Sequence, residues 1–151
     1  MSNVEPSNVV RLPVPVAAIA NRSSVRVPLV SSTVAAGFPS PADDYLDRPL
    51  DFNELLIENP AATFAVRVAG ESMTGAGIFP GDIAIVDRSK TAASGAIVLA
   101  LVDGEFTIKR YRKRGGRVVL QAENSKYKDI VIPEDATFEV WGVVTKAIRM
   151  L

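Results

Sequence analysis

Two glycine-containing turns constrain the fold of this chain more than any other feature of its sequence. Asp103-Gly104 separates the apolar run AIVLALV from EFTIKRY, and Gly115-Gly116 separates YRKR from RVVLQ. Glycine adopts the positive φ angles that tight hairpin turns require, so such pairs between strand-like runs are strong hairpin signals. Residues 96–122 are therefore predicted to form a three-stranded antiparallel meander.

Further strand-like runs lie on both sides of this meander. TFAVRVA (residues 63–69) alternates apolar and polar side chains, and DIAIVD (residues 82–87) is short and apolar. TFEVWGVVTKAI (residues 137–148) is long, rich in β-branched residues and carries the only Trp. Together these runs predict a mostly β fold, a compact antiparallel β domain that begins at about residue 61.

The first 60 residues have a different character. Residues 1–36 are rich in Ser, Val, Ala, Asn and Pro, and they predict an extended N-terminal arm in which SSVRVPLV could add to a sheet edge. Residues 37–60 predict a linker followed by one short helix, DFNELLIENP, in which Asp51 caps the start, Glu54 completes a capping box and Pro60 ends the helix. The predicted division is therefore an arm (1–36), a linker with the helix (37–60) and a β-rich domain (61–151).

The composition excludes several kinds of chemistry. The chain has no cysteine, which rules out disulfides and thiolate catalysis, and no histidine, which removes the usual general base and metal ligand. Its 17 basic and 17 acidic residues balance, so no overall field favours nucleic acid or a membrane. No apolar run approaches the roughly 18–20 residues that span a bilayer, and no signal-peptide pattern is present. We therefore expect a cytoplasmic protein that does not associate with a membrane.

The glycine-rich segment AGESMTGAGIFPGD (residues 69–82) contains a candidate nucleophile, Ser72. Serine is common in turns and glycine-rich loops mostly only turn, so this segment by itself favours an ordinary turn. A serine hydroxyl becomes a useful nucleophile when a base removes its proton. Because the chain has no histidine, that base would have to be a carboxylate or a neutral lysine.

Lys109, in the run EFTIKRY, is the candidate lysine. Lysine acts as a base near neutral pH only if burial lowers its pKa from the ordinary value of about 10.4. Phe106, Ile108 and Tyr111 could supply apolar surroundings, and a strand would hold the side chain rigidly. Alternation along the strand puts Arg110 on the opposite face, where we expect it to be solvated. On spacing alone, a solvated lysine is the commoner outcome at Lys109 as well.

The two segments GESMTGAGIFPGDIAIVD and GAIVLALVDGEFTIKRY together resemble the S24 family of serine–lysine self-cleaving proteins, which includes LexA-type repressors and UmuD-type mutagenesis proteins. Upstream, AAGFPSPADDYLDRPLDFNELLIENP is similar to the cleavage-site region of the UmuD type, which favours UmuD over the repressors. The resemblance covers roughly residues 36–148. It implies the antiparallel β fold of the LexA/UmuD C-terminal domain, and it implies no cofactor or metal.

The resemblance also assigns roles to residues. It makes Ser72 the nucleophile and Lys109 the general base, and it makes the backbone N–H groups of Ser72 and Met73 the oxyanion hole. The scissile bond would be Ala36–Gly37. The best-known UmuD has Cys before that glycine, whereas this chain has Ala36, as the repressors do. A small residue at this position suits a narrow specificity pocket.

The implied partners follow from the same resemblance. The protein would be a homodimer that cuts its own arm or the arm of the other subunit, and a RecA–single-stranded DNA filament would stimulate the cut. The processed product would join a UmuC-like Y-family polymerase subunit in error-prone synthesis past DNA damage, as part of the SOS response. The arm before Gly37 is longer than usual in this family, and the resemblance assigns no role to residues 1–30.

Three other classes of protein share some of these sequence features. A signal peptidase uses Ser–Lys chemistry and a similar loop, but it requires a membrane anchor that we do not expect here. A repressor-derived peptidase domain of LexA or phage type would carry a helix-turn-helix headpiece, for which the arm is too short and too irregular. The basic run KRYRKRGGR (residues 109–117) could belong to a nucleic-acid-binding module without catalysis. A solvated hairpin tip is the commoner explanation of such a run, so direct DNA binding is expected to be weak or absent.

Overall fold

The computed structural model describes residues 25–31, 33–37 and 47–151. Within these residues the chain forms nine β-strands, one α-helix and two 3-10 helices. The strands are β1 (Arg26–Val27), β2 (Leu50–Asp51), β3 (Thr63–Arg67), β4 (Ile83–Asp87), β5 (Ile97–Val102), β6 (Glu105–Arg114), β7 (Arg117–Gln121), β8 (Ile130–Val131) and β9 (Phe138–Ile148). The α-helix α1 is Phe52–Leu56, and the 3-10 helices are Pro60–Ala62 and Thr74–Ala76.

Strands β3 to β9 form one seven-stranded sheet in the order β3-β4-β9-β5-β6-β7-β8. Every neighbouring pair in this sheet is antiparallel. The predicted fold class, a mostly β antiparallel domain with one short helix, is therefore confirmed. The order also shows that β9, the last strand, lies between β4 and β5. It therefore connects the pair β3–β4 to the meander β5–β6–β7.

The meander is formed as predicted. Asp103 and Gly104 have φ angles of 47° and 82°, and they connect β5 to β6 so that Val102 lies opposite Glu105. Gly115 and Gly116 have φ angles of 59° and 78°, and they connect β6 to β7. A turn of two successive residues with positive φ matches the right-handed twist of the flanking strands. This is why the two residue pairs predicted the hairpins correctly.

Two clusters of buried apolar side chains stabilise the sheet. The larger cluster joins the loop between β3 and β4 to the sheet; its buried members are Val68, Met73, Ile78, Ala84, Val86, Leu99, Trp141 and Val144. The smaller cluster consists of Val98, Ala100, Tyr111, Leu120 and Ile132. The larger cluster matters most for function, because it includes Met73 and so anchors the segment that follows the candidate nucleophile.

The helix differs in detail from its prediction. The Asp51 carboxylate accepts a hydrogen bond from the Asn53 N–H at 2.8 Å, which confirms the predicted cap. Glu54 lies on the surface with a carboxylate oxygen 3.6 Å from Arg48 Nη2. The helix ends at Leu56, and Pro60 does not stop it but begins the next 3-10 helix. Proline is well suited to that position, because it has no N–H and the first helical turn offers no partner for one.

The arm contributes one short strand to the described structure. β1 pairs with β2, with Arg26 opposite Asp51 and Val27 opposite Leu50, so two residues of SSVRVPLV form a strand, but in a separate two-stranded sheet. Residues 1–24 of the predicted arm and residues 38–46 of the predicted linker lie outside the described residues. The division at residues 36 and 60 stays a prediction.

Candidate active site

Ser72 lies in the loop that connects β3 to β4. Backbone hydrogen bonds close the base of this loop: the Val68 N–H donates to the Asp82 carbonyl at 2.8 Å, and the Gly81 N–H donates to the Val68 carbonyl at 2.9 Å. The 3-10 helix Thr74–Ala76 follows directly after Met73 and ends at Gly77, whose φ is 81°. The buried Met73 side chain fixes the middle of the loop to the larger core cluster. The glycine-rich segment is therefore a compact and anchored loop.

The side chains of Ser72 and Lys109 are in contact. The Lys109 Nζ lies 2.9 Å from the Ser72 Oγ, although the two residues are 37 positions apart in the chain. Nζ also donates to the Thr107 Oγ1 at 2.8 Å and to the Ile108 carbonyl at 3.2 Å. Thr107 and Lys109 are two positions apart on β6, so their side chains lie on the same face of the strand.

The surroundings of Lys109 favour its neutral form. Lys109 is only 8% exposed, and this burial lowers the pKa of its amine below the ordinary lysine value. Among the described residues, no carboxylate forms an ion pair with it. A neutral amine has two N–H groups and one lone pair. Thr107 Oγ1 and the Ile108 carbonyl can accept the two N–H groups, which leaves the lone pair for the Ser72 hydroxyl.

The backbone donors predicted for the oxyanion hole are available. Neither the Ser72 N–H nor the Met73 N–H donates a hydrogen bond to any other described residue. Ser72 is half-buried and Met73 is 3% exposed, so both groups lie in sheltered positions close to the Ser72 hydroxyl. A negatively charged oxygen bound next to Ser72 could accept both hydrogen bonds.

A cleft of about 430 Å³ opens beside Ser72 and Lys109. One wall is β3 and the residues that follow it, and β3 is the end strand of the sheet, so its outer edge is unpaired among the described strands. The apolar side chains of the cleft are Phe64, Val66, Val68, Met73, Leu99, Phe106, Ile108 and Trp141. An unpaired strand edge beside apolar side chains can bind an extended peptide: the strand edge forms main-chain hydrogen bonds with it, and the apolar surface contacts the peptide's small side chains.

The predicted scissile bond does not lie in that cleft. Ala36 and Gly37 are both exposed, and a Cβ added to Gly37 would meet nothing within 4 Å. Neither residue lines the cleft beside Ser72. The structure thus brings Ser72, Met73 and Lys109 together and leaves Ala36–Gly37 apart from them.

The prediction that Arg110 is solvated was wrong. Its side chain is half-buried and forms an ion pair with Glu123, and its Nη1 donates to the Gly95 carbonyl at 2.7 Å. The reason is the register of the β6–β7 hairpin, in which Arg110 lies opposite Gln121. Glu123 follows Gln121 by two positions and so returns its side chain to the same face.

Glu123 and Asn124 also hold the loop of Ser72, a role that sequence reasoning missed. The Glu123 N–H donates to the Ser72 carbonyl at 2.8 Å, and the Gly75 N–H donates to the Glu123 carbonyl at 2.7 Å. The Asn124 Nδ2 donates to the Glu71 carbonyl at 2.8 Å. These contacts lie on both sides of Ser72. The one signal in the sequence was that Glu123 stands two positions beyond the cross-strand partner of Arg110.

The basic side chains of the run KRYRKRGGR (residues 109–117) are partly buried and partly exposed. Lys109 contacts Ser72, Arg110 pairs with Glu123, and the Arg112 Nε donates to the Gln121 Oε1 at 3.0 Å. Only Lys113, Arg114 and Arg117 are exposed around the turn. This distribution favours a solvated hairpin tip over a dedicated nucleic-acid surface, and weak direct DNA binding stays a prediction.

No group of three or more His, Cys, Asp or Glu side chains in the part of the chain that the structure describes could hold a metal ion. No helix there is long and apolar enough to cross a bilayer.

Comparison with known proteins gives consistent matches over most of the chain. Residues 28–145 match the profile of the family described as Peptidase S24-like. The chain is 43% identical to Protein ImpA of Salmonella typhimurium over 122 residues, which are 81% of this chain and 83% of that protein. It is 40% identical to Protein MucA of Escherichia coli over 123 residues, which are 81% of this chain and 84% of that protein. It is also 36% identical to the LexA repressor of Clostridioides difficile over 133 residues, which are 87% of this chain but 62% of the repressor.

Proposed function

The chain belongs to the S24 peptidase family and within it to the UmuD type, and from this premise we propose that it is a serine peptidase that cuts its own arm between Ala36 and Gly37. One observation carries the proposal: the buried Lys109 amine lies 2.9 Å from the Ser72 hydroxyl oxygen. A lysine whose pKa is lowered by burial, in contact with a serine beside an open cleft, is the arrangement that a Ser–Lys nucleophile needs.

The first half of the reaction forms an acyl-enzyme. Neutral Lys109 takes the proton of the Ser72 hydroxyl as the serine oxygen attacks the Ala36 carbonyl carbon. The carbonyl oxygen becomes negatively charged and accepts hydrogen bonds from the Ser72 and Met73 N–H groups. The bond between Ala36 and Gly37 then breaks, and protonated Lys109 gives its proton to the Gly37 amine as it leaves.

The second half releases the arm. A water molecule gives a proton to Lys109, now neutral again, and attacks the ester that joins Ala36 to Ser72. Collapse of the second tetrahedral intermediate breaks the ester, returns the proton to the Ser72 oxygen and leaves a free Ala36 carboxylate. The products are residues 1–36 and residues 37–151.

Docking of the arm at Ser72 is the step at which a partner can regulate cleavage. Ala36 and Gly37 are exposed and outside the cleft, so the uncut protein must first bring this segment to Ser72. A partner that binds the docked form better than the undocked form speeds cleavage by shifting that equilibrium. In our proposal this partner is a RecA–single-stranded DNA filament, and the docked arm belongs either to the same subunit or to the other subunit of a homodimer.

The cellular role follows from the UmuD type. We assign the processed chain to error-prone translesion synthesis in the SOS response, as a subunit that joins a UmuC-like Y-family polymerase in the cytoplasm. The relatives ImpA, MucA and SamA, each at least 40% identical over about four fifths of this chain, support the assignment. In this role residues 1–36 are the removable arm, residues 37–60 are the linker with the helix, and residues 61–151 are the catalytic domain.

Incubation of the pure protein at mildly alkaline pH tests the proposal. Mass spectrometry is expected to find one cut, after Ala36, and the rate is expected to rise with pH because only neutral Lys109 can take the serine proton. The rise should level off once the pH passes the Lys109 pKa, which burial places below the ordinary lysine value. A cut elsewhere, a rate that falls as the pH rises, or a protein that stays intact even with RecA–single-stranded DNA filaments would contradict the proposal.

Thr107 provides a second test, because its hydroxyl oxygen is one of the two acceptors that aim the Lys109 lone pair at Ser72. Thr107→Val keeps the shape of the side chain and removes that acceptor. We expect self-cleavage to slow roughly 10- to 100-fold, since small errors in the geometry of reacting groups have effects of this size. Thr107→Ser keeps the hydroxyl and should stay within a few-fold of the parent rate. Equal rates for the two variants would show that Thr107 does not orient the amine.

A further inference from the structure

The strand of Lys109 and the loop of Ser72 belong to different parts of the chain, so a fixed distance between the two side chains requires a connection between these elements. Residues of β6 do not reach the loop through the sheet, because β3 and β4 lie at the far side of β9 and β5. Lys109 touches Ser72 directly, and Ile108 of β6 packs against the larger core cluster, which contains Met73. The structure also shows an indirect connection. It runs from Arg110, the residue after Lys109, through Glu123 to the backbone on both sides of Ser72.

The first part of this connection is a side-chain contact. The Arg110 guanidinium pairs with the Glu123 carboxylate through Nε, and its Nη1 donates to the Gly95 carbonyl at 2.7 Å. The Arg110 side chain is 24% exposed and that of Glu123 is 27% exposed, so most of the pair is shielded from water. A shielded pair that is also tied to the backbone holds its geometry better than an exposed pair, which usually contributes little.

The second part is a backbone contact. Glu123 donates its N–H to the Ser72 carbonyl and accepts the Gly75 N–H at its own carbonyl, at 2.8 and 2.7 Å. The next residue, Asn124, donates its side-chain amide to the Glu71 carbonyl at 2.8 Å. Glu123 therefore helps to set the position of the loop from Glu71 to Gly75, together with the buried side chain of Met73.

We propose that Arg110 and Glu123 are positioning residues, whose ion pair ties the strand of Lys109 to the loop of Ser72 and thereby sets the distance between the two reacting side chains. This inference rests on the proposed function, since it concerns the same Ser–Lys pair. Neither residue contacts the substrate bond in this scheme. Both act by keeping the Ser72 Oγ within hydrogen-bonding distance of the Lys109 Nζ.

The test uses Arg110→Met, Glu123→Ala and the double variant. Glu58→Ala is the matched control, because Glu58 also pairs with basic side chains, Lys90 at 2.9 Å and Lys146 at 3.5 Å, but it is more exposed and does not line the cleft beside Ser72. Two rates are measured across the alkaline range: self-cleavage, and phosphonylation of Ser72 by a small fluorophosphonate. In the second reaction the Ser72 oxygen forms a bond to phosphorus, the P–F bond breaks and fluoride leaves, and Lys109 takes the serine proton. This reaction does not require the arm to dock. Circular dichroism sets a temperature at which every variant is folded.

We expect Arg110→Met and Glu123→Ala to slow both reactions roughly 10- to 100-fold, without moving the pH at which the rate is half-maximal. The double variant should be no slower than the slower single variant, because either change breaks the same connection. Arg110→Lys should recover part of the loss, and Glu58→Ala should match the parent. A pair that only stabilised the fold would lower the melting temperature and leave both rates of the folded protein unchanged.

Several results would overturn the inference. Phosphonylation at the parent rate in both single variants would show that Ser72 and Lys109 keep their geometry without the pair. Recovery of the parent rate in the double variant would show that the single variants suffer from an unpaired charge. A shifted pH midpoint would mean that the pair acts on Lys109 protonation. If the parent reacts no faster with the reagent than Ser72→Ala does, the proposed function itself fails, which is a different result from equal rates in parent and variants.

Discussion

Ser72→Ala is expected to stay uncut under alkaline conditions that process the parent, and Lys109→Met is expected to lose the same activity. The first change removes the nucleophile and the second removes the base, and the two groups act as one unit at 2.9 Å. Loss of a nucleophile or base from a serine peptidase costs on the order of 10⁶-fold in rate. Mass spectrometry of samples taken over several days should therefore find only intact chain.

The matched control is Lys113→Met, which changes another lysine of β6 that is exposed and lies near the turn. It should cleave at the parent rate. Lys109→Arg adds a sharper comparison, since arginine keeps the positive charge but stays protonated at any pH the protein tolerates. We expect this variant to be inactive across the pH range, which would show that the proton acceptor matters and not the charge. Cleavage of Ser72→Ala at the parent rate would contradict the dyad.

The elements that the sequence predicted well are those whose causes are local. Two successive positive φ angles at Asp103-Gly104 and Gly115-Gly116 require residues such as Asp and Gly, so the hairpins could be identified from those pairs. The alternation in the centre of TFAVRVA likewise matches the burial of β3 from Phe64 to Arg67, where half-buried and exposed side chains alternate, whereas Thr63 at the start of the strand is buried. Each of these signals is contained within a few neighbouring residues.

The elements that were missed depend on contacts between distant parts of the chain. β8 has only two residues, and both are exposed. It is a strand because Ile130 and Val131 pair with β7, so no pattern within the segment predicts it. The place of β9 between β4 and β5 is a choice among possible partners that periodicity does not encode. Tertiary contacts also changed the local prediction for Arg110, because the chain after β7 brings a carboxylate to it.

The candidate site shows the same division. Spacing alone left Ser72 as a turn residue and Lys109 as a solvated strand lysine, and only the resemblance to the S24 family joined them. Their contact depends on two long-range features: the loop after β3 and the strand β6 share the larger core cluster, and Glu123 holds the backbone of the loop. The contribution of Glu123 and Asn124 comes largely from backbone groups and one amide, and these groups carry little signal in a single sequence.

Gly75→Ala is expected to have the second largest effect, a loss of roughly 100-fold or more in self-cleavage. The backbone of Gly75 does not have a positive φ, so alanine is not excluded by its conformation. The added Cβ would instead overlap the Glu123 carbonyl oxygen, which accepts the Gly75 N–H at 2.7 Å. Since that oxygen belongs to the backbone, it cannot rotate away, and the loop of Ser72 must shift. A displacement of about 1 Å in a reacting group can cost about 10²-fold in rate.

The same substitution should lower the free energy of unfolding by about 1–3 kcal/mol, as overpacking usually does. Gly116→Ala is the control, because the φ of Gly116 is 78° and alanine there costs about 1–2 kcal/mol in a turn remote from Ser72. The two variants should thus lose comparable stability in urea unfolding, measured in a Ser72→Ala background. Only Gly75→Ala should lose activity, measured with Ser72 intact at a temperature where both are folded. Equal self-cleavage rates in the two variants would show that the contact between Gly75 and Glu123 does not set the position of the nucleophile.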